Sequence, residues 1–333
     1  MYKCFFCDEL LNEKNTSVEH IIPNSIGGRL KSKKILCKRC NSKLGEKFDS
    51  EISKMFNLTM LINNIKRDDG KTPRKEKIYI VQGENKIPIS FEREKKGLSI
   101  NFNQIEKREN SIFLGGSEEF VKKEKDKILK SGRNKIENEE ISSYLEIKSK
   151  KEIRVDNEKL FKSLLKTGIG FYLEKGNNIE KIKDVIKILS QENNFNELKN
   201  IIEVKEMVRK TNINYHSLLL FENPITSKIN CYILYFSSCF NKYFKIELSK
   251  DYQDEKFKFI FYLYNLTNST EEMEFSKCTQ SSIEEILNKE LKNVEKNNSK
   301  ELEEMGKIIE EEMINIIINI LWKVKIKNET KLI

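Results

Sequence analysis

Two Cys-x-x-Cys pairs, Cys4/Cys7 and Cys37/Cys40, bracket an excursion of the chain near its start. A Cys-x-x-Cys lets two thiolates reach one metal from a tight turn, and two such pairs complete a tetrahedral Cys4 site. Zinc suits four thiolates and needs no redox chemistry. The spacing reads as a structural zinc site. A redox dithiol lacks a βαβ setting here. Two disulfides need an oxidising compartment, which nothing in the sequence indicates. Cys4, Cys7 and His20 also match three ligands of a Cys2His2 finger, but no second histidine follows within reach. Cys37 and Cys40 fill the vacancy, and His20 is left for other work.

The excursion carries Glu19-His20-Ile21-Ile22-Pro23 and Gly27-Gly28, and it closes on Leu36-Cys37-Lys38-Arg39-Cys40-Asn41. Leu44-Gly45 and Asp49 follow. On these residues the segment resembles the HNH nuclease family, with its ββα-metal unit, and most closely the subgroup reading EHIIPxSxGG between two CxxC pairs. The resemblance covers about fifty residues. It departs from the family before the second CxxC, where Ser32-Lys33-Lys34-Ile35-Leu36 replaces the usual bracing asparagine. Ser32 or a backbone group is the substitute on offer.

The resemblance implies a metal-dependent endonuclease. His20 would be the general base, a task a neutral imidazole performs near pH 7. Glu19 and Asn41 would hold a Mg2+ or Mn2+ ion, which takes oxygen ligands. Each residue also has a plainer reading. Glu19 would only orient His20, Asn41 would only cap a helix, and Asp49 would be a solvated carboxylate. Arg29, Lys31, Lys33, Lys34, Lys38 and Arg39 crowd the same loop and helix start, and read as a patch that tracks DNA phosphates.

The 333 residues carry a net charge of +9, which permits binding to an acidic polymer. The charge is discounted, because the chain has no alanine and is rich in Lys, Ile, Asn and Glu, as in AT-rich genomes. Only nine of its 61 basic residues are Arg, so bidentate base readout is sparse. Cys4 lies too near the start for a signal peptide to precede it. The longest apolar run, Met313 to Trp322, is interrupted by Asn315 and Asn319 and falls short of the roughly 20 residues of a membrane span. A reducing cytoplasm is the expected location. Cys231, Cys239 and Cys278 read as buried small hydrophobes.

Helical spacing runs over 41–66, and a polar break follows at 67–76. Short alternating runs at 77–82, 86–91 and 98–102 predict an antiparallel meander, with a charged helix at 117–130 and short strands near 144–147 and 153–155. Helices are expected over 156–174, with Asp156 as N-cap, and over 178–191 and 196–207. Four strands are expected at 216–221, 229–236, 243–248 and 257–264. Their aromatic residues read as core rather than base-stacking platforms, and His216 as a satisfied structural histidine. Residues 281–328 read as helical. Their apolar stripe either closes the C-terminal core, the favoured reading, or pairs two copies of the chain in a homo-oligomer.

The expected fold is α+β in three parts. These are an HNH nuclease domain at 1–66, a small β-rich region at 67–155, and a helical and antiparallel-β domain at 156–333. The expected partner is DNA, without a membrane. The kinds of protein this nuclease type joins imply, by analogy, a bacterial defence role against foreign DNA. The competing class is a non-catalytic, zinc-stabilised nucleic-acid-binding protein. It would keep the four cysteines and the basic loop and carry Glu19 and His20 as relics.

Overall fold

A computed structural model describes residues 2–82, 85–94, 97–107, 112–116, 118–130, 155–206, 214–240 and 242–278. In chain order the elements are β1 (Glu19–His20), β2 (Lys31–Ser32), α1 (Lys38–Leu44), α2 (Ser50–Ile62), β3 (Lys75–Gln82), β4 (Asn85–Glu94), β5 (Gly97–Lys107), β6 (Ile112–Gly116), α3 (Glu118–Lys130), α4 (Asn157–Glu174), α5 (Lys183–Ser190), α6 (Phe195–Ile201), β7 (Ile202–Glu206), β8 (Tyr215–Asn223), β9 (Lys228–Leu234), β10 (Lys242–Ser249), β11 (Phe257–Asn265) and β12 (Thr270–Cys278). Helices mix with antiparallel sheets, an α+β chain. It forms two compact units, one of Met1–Ser53 with Val155–Ile333 and one of Lys54–Arg154. The cysteine-rich segment and the C-terminal region thus share a unit.

In that first unit an antiparallel sheet runs in the order β12-β11-β8-β9-β10-β7. Every residue of β8 is buried, and so are nearly all of β9 and β11. Unbroken burial of this kind means that both faces are covered. Tyr232, Tyr235, Phe236 and Phe244 are core residues, as expected. Helix α4 starts where Asp156 accepts the Lys159 N–H, as its sequence predicts. Most of its length is buried. A Cβ at Gly168 would touch Ile246, Leu248 and Cys231 of the sheet, whereas one at Gly170 would touch Ile21 and Ile35 of the cysteine-rich segment. The helix is therefore a middle layer between the two.

His216 ties the layers together. Its Nε2 donates to the Ile26 carbonyl at 2.8 Å, and its Nδ1 accepts the Phe236 N–H at 3.4 Å. Both ring nitrogens are used only in the neutral tautomer. Burial pushes its pKa down to about 4 from the ordinary 6.5. In the window between these values the unfolded chain binds a proton that the folded chain refuses. Stability is therefore complete above pH 6.5 and falls as pH drops towards 4, by about 3 kcal/mol in all and about 2 by pH 5. Urea unfolding at pH 7.5 and pH 5 checks this. The His216→Gln variant should lose about 2 kcal/mol less over that interval than the parent.

Three sequence expectations change. The helix expected over 196–207 ends at Ile201, because Ile202–Glu206 pairs with β10 as an edge strand. The helical reading of 41–66 divides into α1, a π turn at Gly45–Asp49, and α2. Cys239 is exposed beside Asn214, whereas Cys231 is buried. The readings at 144–147 and 281–328 lie outside the described residues, as does most of the strand near 153–155. No helix among the described residues is long and apolar enough to cross a membrane.

The second unit is a meander in the order β3-β4-β5-β6, with α3 after it. Its core joins Leu61, Ile78, Ile89 and Phe91, with Leu58 and Leu98 packed against them. The Arg93 guanidinium donates to the carbonyls of Leu61 and Ile62. These are end-of-helix carbonyls that have no partner within α2.

Candidate metal clamp and nuclease site

The first Cys-x-x-Cys closes as a tight turn. Asp8, at φ 59°, donates its N–H to the Cys4 carbonyl, and the Cys4 N–H reaches the Glu9 carbonyl. The second pair opens α1, with Cys37 as the residue before the helix and Cys40 within its first turn. Phe5 N–H to Ile35 O and Lys38 N–H to Asn15 O stitch the two turns together. The four Sγ atoms lie within 4.8 Å of one another, and Cys7 and Cys37 are 3.8 Å apart. A tetrahedral zinc with Zn–S bonds of about 2.3 Å sets its sulfurs about 3.8 Å apart, so the cluster fits. Its chemistry also calls for a cation. Burial raises the Cys4 and Cys40 pKa values, and their thiol neighbours raise Cys40 further. At Cys7 burial is outweighed by the Glu9 N–H and the other thiols, and the value falls. Four thiolates gather at one point only with a metal in place of their protons.

Between the clamps, Glu19 pairs with Ser32 and His20 with Lys31 in a two-residue antiparallel ladder. The link between these strands explains the two glycines. Pro23 leads into a 3-10 turn at Asn24–Ile26, and Gly27 ends it at φ 85°, a conformation that favours glycine. At Gly28 a Cβ would stand 2.1 Å from the Ile22 carbonyl oxygen. Because that neighbour is backbone, Gly28→Ala is expected to cost on the order of 3 kcal/mol. A thermal melt of the variant measures this, and an unchanged melting temperature would refute it.

Consecutive strand residues face opposite ways, and β1 obeys this rule. Glu19 is 3% exposed, whereas His20 is only partly covered. Glu19 Oε1 sits 2.8 Å from the Lys166 Nζ of α4. Asp49, the last residue of the π turn, accepts from the same Nζ at 2.6 Å and from Ser163 Oγ at 2.6 Å. Burial pulls the Lys166 ammonium towards neutrality, but Asp49 and Glu19 outweigh it and keep it charged. Burial raises Glu19, against the pull of Lys166 and with some help from Asp49.

Asn41 does not cap the helix as its plainer reading had it, because Cys37 is the residue before α1 and Asn41 lies inside it. Its Nδ2 donates to Ser17 Oγ and to the Val18 carbonyl, both at 3.2 Å. That leaves Oδ1 with no partner among the described residues, and a carboxamide oxygen suits a hard cation. The loop without the bracing asparagine is held by hydroxyls. Thr16 Oγ1 donates to Lys33 O, Ser17 Oγ donates to Leu36 O, and Ser32 Oγ accepts the Lys34 N–H.

The basic residues divide into two sets. Lys31, Lys33, Lys34 and Lys38 are exposed, with Lys34 standing over the Tyr2 ring. Arg29 donates to Tyr264 Oη at 3.3 Å, whereas Arg39 is exposed like the lysines. Of these residues Arg29 thus serves the protein's own structure. Sequence reasoning missed Thr16, Ser17, Ser163 and Lys166. The available signal for Lys166 was its place, one turn after Lys162, within the broad apolar face of α4.

Residues 4–57 match the family model described as HNH endonuclease. The match covers the cysteine cluster, β1, β2, α1 and the start of α2. Neither the curated proteins nor the solved structures contain a match to the chain.

Proposed function

We propose that the chain is a metal-dependent HNH endonuclease that hydrolyses DNA phosphodiester bonds, with residues 4–57 as its zinc-stapled ββα-metal unit. One observation carries the reading. Four thiols converge at the base of the same segment that matches the HNH endonuclease family. In this reading β1 and β2 are the two strands and α1 is the helix, and zinc holds the loop between them.

His20 takes a proton from the attacking water, a step worth about 10²–10⁴-fold. Its partly open position on β1 suits that task. Asn41 Oδ1 and a Glu19 oxygen would hold a Mg2+ or Mn2+ ion. When bound, that ion polarises the phosphate and stabilises the departing 3′ oxygen. The Nδ2 bonds to Ser17 and Val18 fix the Asn41 amide and leave its Oδ1 as the atom on offer to the ion. Lys31, Lys33, Lys34 and Lys38 follow the phosphate backbone and supply affinity without sequence preference. Arg39 adds its exposed charge, and Arg29 contributes charge from the position that Tyr264 fixes. We place the chain in the bacterial cytoplasm, acting against foreign DNA.

Supercoiled plasmid, linear duplex and single-stranded RNA, each incubated with the zinc-loaded chain, test the reading. Nicking of DNA is expected with Mg2+ or Mn2+ and none with EDTA. Cleavage of RNA alone would contradict DNA as the substrate. Saturable DNA binding without cleavage under every metal would favour the zinc-stabilised binder.

A further inference from the structure

Lys166 lies 117 residues after Asp49 in the chain, yet its ammonium closes the nuclease motif from behind. Its side chain is 2% exposed, and that of Glu19 is 5%. A lysine this long ordinarily carries its charge out to water. Here it stays inside, and a buried ammonium costs several kcal/mol unless its partners compensate. They do so through two carboxylates, Glu19 and Asp49, which approach one nitrogen at 2.8 and 2.6 Å. Two carboxylates converging on one small cation is also the arrangement that binds a divalent ion. Ser163 Oγ holds the other Asp49 oxygen, Oδ1, so the pair is fixed on both sides.

We propose that Lys166 is a positioning residue and the resident cation of this site, its ammonium standing between Glu19 and Asp49 where a metal ion would otherwise bridge them. The site's role as a nuclease rests on the reading above. Lys166 commits Glu19 Oε1 inward and leaves that carboxylate one oxygen uncommitted to the ammonium. An ammonium held there excludes a divalent ion from the Glu19–Asp49 pair. The nuclease segment is also incomplete without α4, because the cation that orders its acidic residue comes from the C-terminal region.

Mn2+ counted by electron paramagnetic resonance on the full-length, zinc-loaded chain tests this. Lys166→Met should bind one more Mn2+ than the unaltered chain, at the vacated carboxylate pair. The double variant Lys166→Met/Asp49→Asn should lose that extra ion. Lys166→Met should also cut DNA at least about tenfold more slowly, with KM for DNA within about twofold, as expected when a supporting residue of a metal ligand is lost. An unchanged Mn2+ count overturns the proposal, and so does an extra ion that survives Asp49→Asn.

If Lys166→Met fails to fold, nitrogen-15 resonances of the unaltered chain decide the matter. The Lys166 ammonium should stay protected from solvent exchange at saturating Mg2+. Loss of its signal on adding Mg2+ would show that the ion displaces it and would overturn the proposal. The two readings fail separately. An unaltered chain that cuts nothing, while Lys166→Met gains its ion, removes the nuclease and leaves the resident cation. A chain that cuts normally, while Lys166→Met gains nothing, does the reverse.

Discussion

Cys37→Ser is expected to leave the chain without zinc and to melt it roughly 10 °C or more below the parent. The segment between the clamps has little else to hold it. Its strands are two residues long, and segments of this size rarely fold without a metal, disulfides or a partner surface. Structural zinc contributes an apparent 10–16 kcal/mol in finger-sized peptides, as much as the whole stability of an ordinary domain. Contacts of Ile21, Ile26 and Ile35 with α4 and His216 offset part of the loss, so the effect on the whole chain is smaller than in a free finger. Zinc content by atomic absorption and a thermal melt check both halves. A variant that keeps one zinc per chain and melts with the parent would rule out Cys37 as a ligand.

The second large effect belongs to His20. Its removal as His20→Ala should slow single-turnover DNA cleavage about 10³-fold, a barrier increase of about 4 kcal/mol. DNA affinity should change less than about twofold, because the lysines proposed to follow the phosphates are untouched. The contrast separates chemistry from binding. A parallel loss of affinity would mean that His20 holds DNA rather than moving a proton. Equal rates in parent and variant would trace the cleavage to some other protein in the preparation.

Much of the site was legible because its signals are local. Cys-x-x-Cys spacing states a ligand set, whereas the left-handed backbone of Gly27 and the close approach at Gly28 come from the structure. Helix α4 was readable from its apolar spacing and its Asp156 cap, and β8 to β11 from apolar and aromatic runs, unbroken in two of them and alternating in β10. What stayed hidden depends on distant partners. β7 and β12 are the two edges of their sheet, and edge strands need little apolar patterning. Exposed Glu271, Glu272 and Met273 show as much. The π turn has no spacing of its own within a helical pattern. Lys166 could not be assigned to Glu19 and Asp49, because only the folded chain brings α4 to the motif. The same packing puts the cysteine-rich segment and the C-terminal region in one unit, which composition along the chain does not reveal.

The most direct measurement is an assay of nick formation and end groups on supercoiled DNA, with the zinc-loaded full-length chain and its His20→Ala variant prepared side by side in Mg2+. The expected result is nicking by the parent alone, leaving 5′-phosphate and 3′-hydroxyl ends, with none in EDTA. Intact DNA in every lane, or equal nicking by the two proteins, would contradict the assignment of hydrolysis to His20.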